Sequence, residues 1–451
     1  MSAITKHLRS RREVHLGEFL EYLKIPCIST LNQCIQEGAG HLAVLMGRAG
    51  IDSRIMETGG HPAVYGEVKG PEGAPTLLVY GHYDVQPADI KEGWISDPFN
   101  PDIRDGRIYA RGSGDNKGQH FAQIKAIEAY RETGIKLPIT VKFLIEGEEE
   151  MGSTNLREFV VKHRELLRAD IACSSDGSLH PSARPTIALG CRGLLYIELI
   201  AHGVGRDLHS GTYGGAMESP YWRLMEAVRA LRDKNGLVRI PGFYEAVRPL
   251  GEADRDALAR VPNPASELAA ALGEEGMLRI SDPDSFYKKT ITRPNLNICG
   301  FQGGYSQNGV KTVLPGIAKA KIDFRLVVDQ DPDQIFEDVC TFLEAEGFRD
   351  IEIKRMASFY PSKTPADHPL IEKILAVVAA RGEPPIVFPN FGGSVPDILF
   401  TRDLGIPSLW LPLANADSNA HAPEENIQLD IFHRGSEIAS TIIDGLGLQG
   451  D

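Results

Sequence analysis

Hydrophobic positions change period twice along the chain. Between about residues 75 and 175, short apolar runs alternate with a helical pattern. "TLLVYGH", "ITVKFLIEG" and "ADIACSS" read as strands, and "QHFAQIKAIEAYRET" brings Phe121, Ile124, Ile127 and Tyr130 round at near-helical spacing. That alternation predicts an α/β unit with a largely parallel sheet. After about residue 190, "LLYIELIAHG" and "KAKIDFRLVVD" read as strands with alternating faces, flanking the helical stretches "PYWRLMEAVRALRD" and "DPDQIFEDVCTFLEAEG". This predicts a separate α+β layer inserted into the chain, with an extra helical excursion over 241–276. From about residue 360 the α/β texture returns, in "HPLIEKILAVVAARG" and "IPSLWLPL". The expected division is 1–190 and 359–451 for the α/β domain and 191–358 for the insertion.

Composition narrows the function classes. A chain of 451 residues exceeds what one core usually serves, which agrees with two bodies. The net charge of -13 argues against a nucleic-acid partner, since phosphate binding needs clustered Lys and Arg. The basic run "KHLRSRR" at 6–12 reads as the solvated face of a first helix. The N-terminus has no continuous apolar stretch, and nowhere is there an uncharged run of about 18 residues that could cross a bilayer. No membrane partner is expected, and the location expected is cytoplasmic. The six cysteines form no C-x-x-C pair and are expected to be buried thiols.

The chemistry lies where strands stop. "LLVYGHYDVQP" ends its apolar run in His82 and Asp84, and "ITVKFLIEGEEEMGS" ends in Glu148, Glu149 and Glu150. "ADIACSSDGS" ends in Asp176, and "IPSLWLPLANADSNAHAPEEN" leads into Asp417 and His421. In "ARGSGDNKGQ", Asp115 sits in a glycine-rich loop just before a helix. Taken alone, an acidic run is usually a solvated loop and a lone histidine a capped loop residue. Open α/β sheets, however, gather ligands at the carboxyl ends of their strands, so all five segments are expected to converge on one crevice. The glycine-rich loop lacks a G-K-[ST] ending and carries Asp115 where a phosphate would be repelled. Two imidazoles and several carboxylates without thiolates suit zinc, manganese or cobalt. A pair of divalent ions about 3.5 Å apart needs a shared carboxylate, for which Asp115 is the natural bridge. A further carboxylate must accept a proton from water, and Glu149 and Glu150 offer one residue for ligation and one for that task.

"GHYDVQP", "GSGDNKG", "EGEEEMGS", "SSDGS", "DLHSGTYGG", "KTVLPG" and "NAH", in this order, resemble the motifs of the co-catalytic zinc metallopeptidases that include carnosinases, glutamate carboxypeptidase and succinyl-diaminopimelate desuccinylase. The resemblance implies a zinc-aminopeptidase-like catalytic domain with a mostly parallel sheet and an inserted α+β lid and dimerisation domain. It implies two Zn2+ per subunit, with Mn2+ or Co2+ as substitutes. His82 and Asp176 would bind one ion, Glu150 and His421 the other, and Asp115 both. Glu149 would be the general base, Asp84 would orient His82, and the Asp115–Asn116 peptide would be cis. His209 would reach the active site of a partner subunit in a homodimer, and Thr312, Arg325 and Ser394 would bind the substrate carboxylate. The stretch at 240–259 resembles the longer lid of carnosinase-like dipeptidases, so the expected substrate is a dipeptide or short peptide with a free C-terminal carboxylate. The alternative is an N-acyl amino acid deacylase using the same chemistry.

Overall fold

Along the strand Thr76–His82, Leu77 and Val79 pack into one core while Leu78 and Tyr80 pack into another. Successive side chains of a strand point to opposite faces, so an unbroken apolar run is a strand buried on both sides. The computed structural model describes residues 2–277, 286–382, 384–393 and 395–448. In it this strand lies inside an eight-stranded sheet of order Asp52–Met56, Ala63–Val68, Thr140–Glu146, Thr76–His82, Ile171–Ser174, Ser408–Trp410, Thr186–Ala188, Ile386–Phe388. The four central strands run parallel, and antiparallel pairings join them to the strands on either side. The three strands read from the 75–175 pattern are all present. Asp52–Met56, Ala63–Val68 and the three-residue strands Thr186–Ala188 and Ile386–Phe388 carry no comparable run and were not foreseen.

The helices Lys117–Thr133 and Leu429–Gly447 cover one face, where Phe121, Ile124 and Ile442 meet Val79, Phe143 and Ile145. The helix Leu156–Lys162 and the turn Leu399–Leu404 cover the other. Each fully buried large apolar side chain contributes about 1.5–3 kcal/mol, so this two-sided core holds the central strands, and therefore their carboxyl ends, in fixed register.

The insertion forms a second, antiparallel sheet of order Asn295–Gln302, Ile317–Leu326, Gly193–His202, Glu352–Phe359. Leu195, Ile197, Ile322 and Phe324 on one face pack against Leu224, Ala227, Val339 and Leu343 of the helices Pro220–Ala230 and Pro332–Ala345. Both helices start at a side-chain cap followed by proline: Ser219 accepts from the Tyr221 N–H, and Asp331 from those of Asp333 and Gln334. The opposite face carries Cys299, which is exposed and donates to Asp323 Oδ2 at 3.0 Å. This corrects the expectation of buried thiols, which holds for Cys27, Cys173 and Cys191, while Cys34 and Cys340 are partly covered. The excursion at 241–276 is helical only from Glu252, over Glu252–Ala259 and Ala265–Met277.

The basic run is held in place by ion pairs. His7 and Arg11 reach Glu132, and Arg9 and Arg12 reach Glu437, while Ile4 and Leu8 of the helix Ala3–Ser10 enter the core. Beneath it, buried His15 is lowered to a pKa of about 3 by loss of solvent and by Lys125 and Arg11. The unfolded chain then takes up a proton below about pH 6.5 that the folded chain refuses until about pH 3, so stability falls as pH drops through that window, by up to about 1.4 kcal/mol per pH unit. His15→Gln should flatten this acid limb by up to one proton in denaturant titrations between pH 6.5 and 4. An unchanged slope would show that His15 does not contribute. Among the described residues no helix is long and apolar enough to cross a membrane.

Candidate metal centre

Five side chains meet at the carboxyl ends of the central strands. His82 closes the strand Thr76–His82, and the tight turn Glu149–Met151 follows Thr140–Glu146. Asp176 follows Ile171–Ser174, His421 follows Ser408–Trp410, and Asp115 precedes the helix Lys117–Thr133. His82 Nε2 stands 3.1 Å from Asp115 Oδ1 and 3.8 Å from Asp176 Oδ2. His421 Nε2 stands 3.1 Å from Asp115 Oδ2 and 3.1 Å from Glu150 Oε2. The two oxygens of Asp115 therefore face two different triads, and within each triad the potential ligand atoms all lie within 4.8 Å of one another. Ligand atoms about 2.0–2.1 Å from a tetrahedral zinc ion are about 3.3 Å apart, so the spacing and the N/O donor set fit divalent cations. Glu149 belongs to neither triad; its Oε2 lies 4.0 Å from His82 Nε2.

Local chemistry fixes each member. The Asp115–Asn116 peptide is cis, as the resemblance implied. Asn116 Oδ1 accepts the His82 N–H at 3.2 Å, while its Nδ2 donates to the Ser175 carbonyl at 2.7 Å. A Cβ on Gly81 would sit 2.9 Å from Asn116 Oδ1, so glycine is what allows this approach. His82 Nδ1 donates to the backbone carbonyl of Asp84 at 3.0 Å and lies 3.4 Å from its Oδ1, an arrangement that turns Nε2 towards Asp115. The Asp84 carboxylate also accepts the N–H groups of Glu149 and Glu150, at 3.3 and 3.1 Å, and so couples the strand exits of Thr76–His82 and Thr140–Glu146.

Three contributors escaped the sequence reading. Glu425 is fully buried; its Oε1 accepts the N–H groups of Gly112, Gly114 and Asp115 at 2.9–3.1 Å, and its Oε2 accepts from Arg111 Nη1 at 2.6 Å. This one carboxylate shapes the loop that presents Asp115. Gln86 donates to Glu150 Oε2 at 2.9 Å, and Asn116 joins two strand ends as described. Gln86 and Asn116 lie inside the motifs "GHYDVQP" and "GSGDNKG", and Glu425 lies four residues beyond His421, which is the only signal the sequence holds for them.

The cluster is rich in negative charge. Burial raises the Glu149 carboxyl well above its ordinary range, against the opposing pull of His82. Burial and the Asp115 charge raise Asp176 to about 7. Asp115 itself is lowered despite burial, by hydrogen bonds from His421 and His82. Hydrogen bonds to Asp115 and Glu150 raise His421 to about 10, and Asp115 and Asp84 raise His82 although its burial opposes this. No ion pair among the described residues joins a lysine or arginine to these carboxylates. Lys117 turns away and donates to the carbonyls of Tyr22 and Ile25. Side-chain exposure is 56% for His421 and 0% for His82, so the cluster opens to solvent on the His421 side.

Other sequence candidates separate. Asp417 pairs with Arg107 at 2.7 Å, and Glu148 accepts from the His61 N–H and from Asn155, so neither joins the cluster. His209, paired with Val313 in a small ladder of Leu208–His209 and Val313–Leu314, and Thr312, just before that second strand, are both exposed, and no described hydrogen bond or ion pair links them to the cluster. Arg325, in the strand Ile317–Leu326, donates through Nε to Asp323 Oδ1 at 3.2 Å. Ser394 lies outside the described residues.

Comparison with known proteins places this geometry in context. A family model described as Peptidase family M20/M25/M40 matches residues 78–445. The chain is 32% identical to the Cys-Gly metallodipeptidase DUG1 of Candida albicans over 389 residues, covering 83% of this chain and 79% of the relative. It is 31% identical to the Beta-Ala-His dipeptidase of Homo sapiens over 390 residues, covering 84% and 76%. Among solved structures, the M20 family metallo-carboxypeptidase Sso-CP2 from Sulfolobus solfataricus superposes with a TM-score of 0.89 at 36% identity, covering 96% of this chain and 99% of that one.

Proposed function

The chain belongs to peptidase family M20/M25/M40, and on that premise we propose that it is a two-metal dipeptidase that hydrolyses the amide bond of short peptides with a free C-terminal carboxylate. The observation that carries the reading is Asp115, which offers one oxygen to each of two triads. His82, Asp115 and Asp176 would hold one ion, and Asp115, Glu150 and His421 the other. Zinc suits this donor set, and manganese or cobalt would also be accommodated.

When bound, the ion pair supplies Lewis-acid polarisation of the scissile carbonyl and acidifies water. The remaining work falls to the chain. Glu149, outside both triads and within 4.0 Å of His82 Nε2, accepts the proton of the attacking water and passes it to the departing amine. Asp84 keeps His82 in one tautomer. Arg325, with Thr312 and Ser394, grips the substrate carboxylate, a task suited to a guanidinium fork. The insertion, residues 191–358, acts as lid and dimerisation domain on a catalytic body of 1–190 and 359–451, and His209 of one subunit reaches the site of its homodimeric partner to hold the oxyanion. Lys117, the one basic residue inside the metal-site motifs, is turned away to the Tyr22 and Ile25 carbonyls, and among the described residues no lysine or arginine pairs with the cluster carboxylates, which disfavours a two-metal phosphoesterase.

Assays on metal-loaded protein test the reading. Cys-Gly and β-Ala-His, the dipeptides in the relatives' names, and Ala-type dipeptides should be cleaved, with amidated counterparts much poorer. N-acetyl amino acids and a generic phosphodiester should be turned over far more slowly. Preferential cleavage of N-acetyl amino acids would overturn the dipeptidase assignment in favour of a deacylase.

A further inference from the structure

The excursion that lengthens the insertion has a contact that the catalytic scheme leaves unexplained. Its helix Glu252–Ala259 lies against the α/β domain, where Ala253 packs on the main core. Asp254, 8% exposed, accepts from Lys363 Nζ at 2.8 Å. The same ammonium donates to the carbonyls of Thr364 at 2.9 Å and Pro389 at 2.8 Å, so all three of its protons are engaged. Pro389 opens the loop 389–393, whose far end is held by Arg192. The Arg192 Nε donates to the Gly392 carbonyl at 2.9 Å, and its N–H lies 3.2 Å from those of Phe391 and Gly393. Arg192 borders Arg325: Arg325 pairs with Leu194 across the sheet, and the Arg325 charge helps to lower the Arg192 pKa to about 10, after burial. The loop is thus fastened by a cation at each end, buried Arg192 and half-buried Lys363, and the Lys363 end is tied to the excursion. A cavity of about 400 Å3 lined by Leu250, Asp254, Lys363 and Pro389 lies beside the tie.

We propose that Asp254 and Lys363 are positioning residues for recognition of the substrate's carboxylate end: their ion pair sets the loop 389–393 beside Arg325, so the excursion governs how well that end is bound. Lys363 acts through Pro389 and Asp254 acts through Lys363, and neither touches the reacting atoms. The inference rests on the assignment of Arg325 and its neighbours to the substrate carboxylate.

Asp254→Asn keeps the shape and removes the charge, and Asp254→Glu keeps the charge. In metal-loaded protein, Asp254→Asn should raise KM about fivefold to tenfold, the size of one displaced hydrogen bond, with kcat within about twofold and metal content unchanged. Asp254→Glu should stay within about twofold of the parent KM. Amidated substrates should show no KM difference between the variants and the parent. If Asp254→Asn does not fold, Asp254→Ser replaces it, since the adjoining cavity can admit water to the Lys363 ammonium. An unchanged KM, or equal shifts for free and amidated substrates, would overturn the proposal. Dipeptides and N-acyl amino acids both end in a carboxylate, so the comparison decides this point whichever class the parent enzyme cleaves, separately from the dipeptidase assignment.

Discussion

Asp115→Ala is expected to lower bound metal from two ions per chain to one or fewer and to abolish measurable turnover. Each triad loses its third ligand at once, because Oδ1 faces His82 and Asp176 while Oδ2 faces His421 and Glu150. Disturbing groups that merely orient a ligand costs about 10- to 100-fold in metal affinity, and removing a shared ligand should exceed that at both positions. Replacing His82 or His421 should weaken one position more than the other, and that asymmetry separates a bridge from an ordinary ligand. Elemental analysis after dialysis and calorimetric metal titration supply the comparison. Retention of two tightly held ions by Asp115→Ala would contradict the bridging role.

Glu149→Gln should leave metal content and KM near the parent values while lowering kcat by about 10^2- to 10^4-fold, the usual contribution of a positioned general base. The amide preserves size but cannot take a proton, and Glu149 stands outside both triads. Glu150→Gln makes the contrast: it touches His421, receives a hydrogen bond from Gln86, and should lose metal before it loses chemistry. Full turnover in metal-loaded Glu149→Gln would end its assignment as the base.

The parts legible in the sequence are those whose signal is local. Leu77–Tyr80 and Val141–Ile145 read as strands because both faces are buried, and the polar residue that ends each run marks its exit. The edge strand Asp52–Met56 is largely solvent-facing and shows no such run, and Thr186–Ala188 is too short to have a period. Composition could not divide the acidic run: Glu146 goes to Tyr80, Glu148 to Asn155, and only the turn Glu149–Met151 sends the next two towards the histidines. Resemblance of motifs, rather than pattern, distinguished Glu149 from Glu150. The pair Glu424 and Glu425 shows the same limit. The first meets Arg104 and the Ile95 N–H at the surface, while the second is buried against backbone donors about 310 positions away, a partnership that no local window contains.

Anomalous X-ray scattering from zinc-loaded crystals tests the shared carboxylate most directly. Two peaks per chain about 3.5 Å apart are expected, each about 2.0–2.2 Å from a different oxygen of Asp115. A single peak, or two ions with no protein ligand in common, would contradict it.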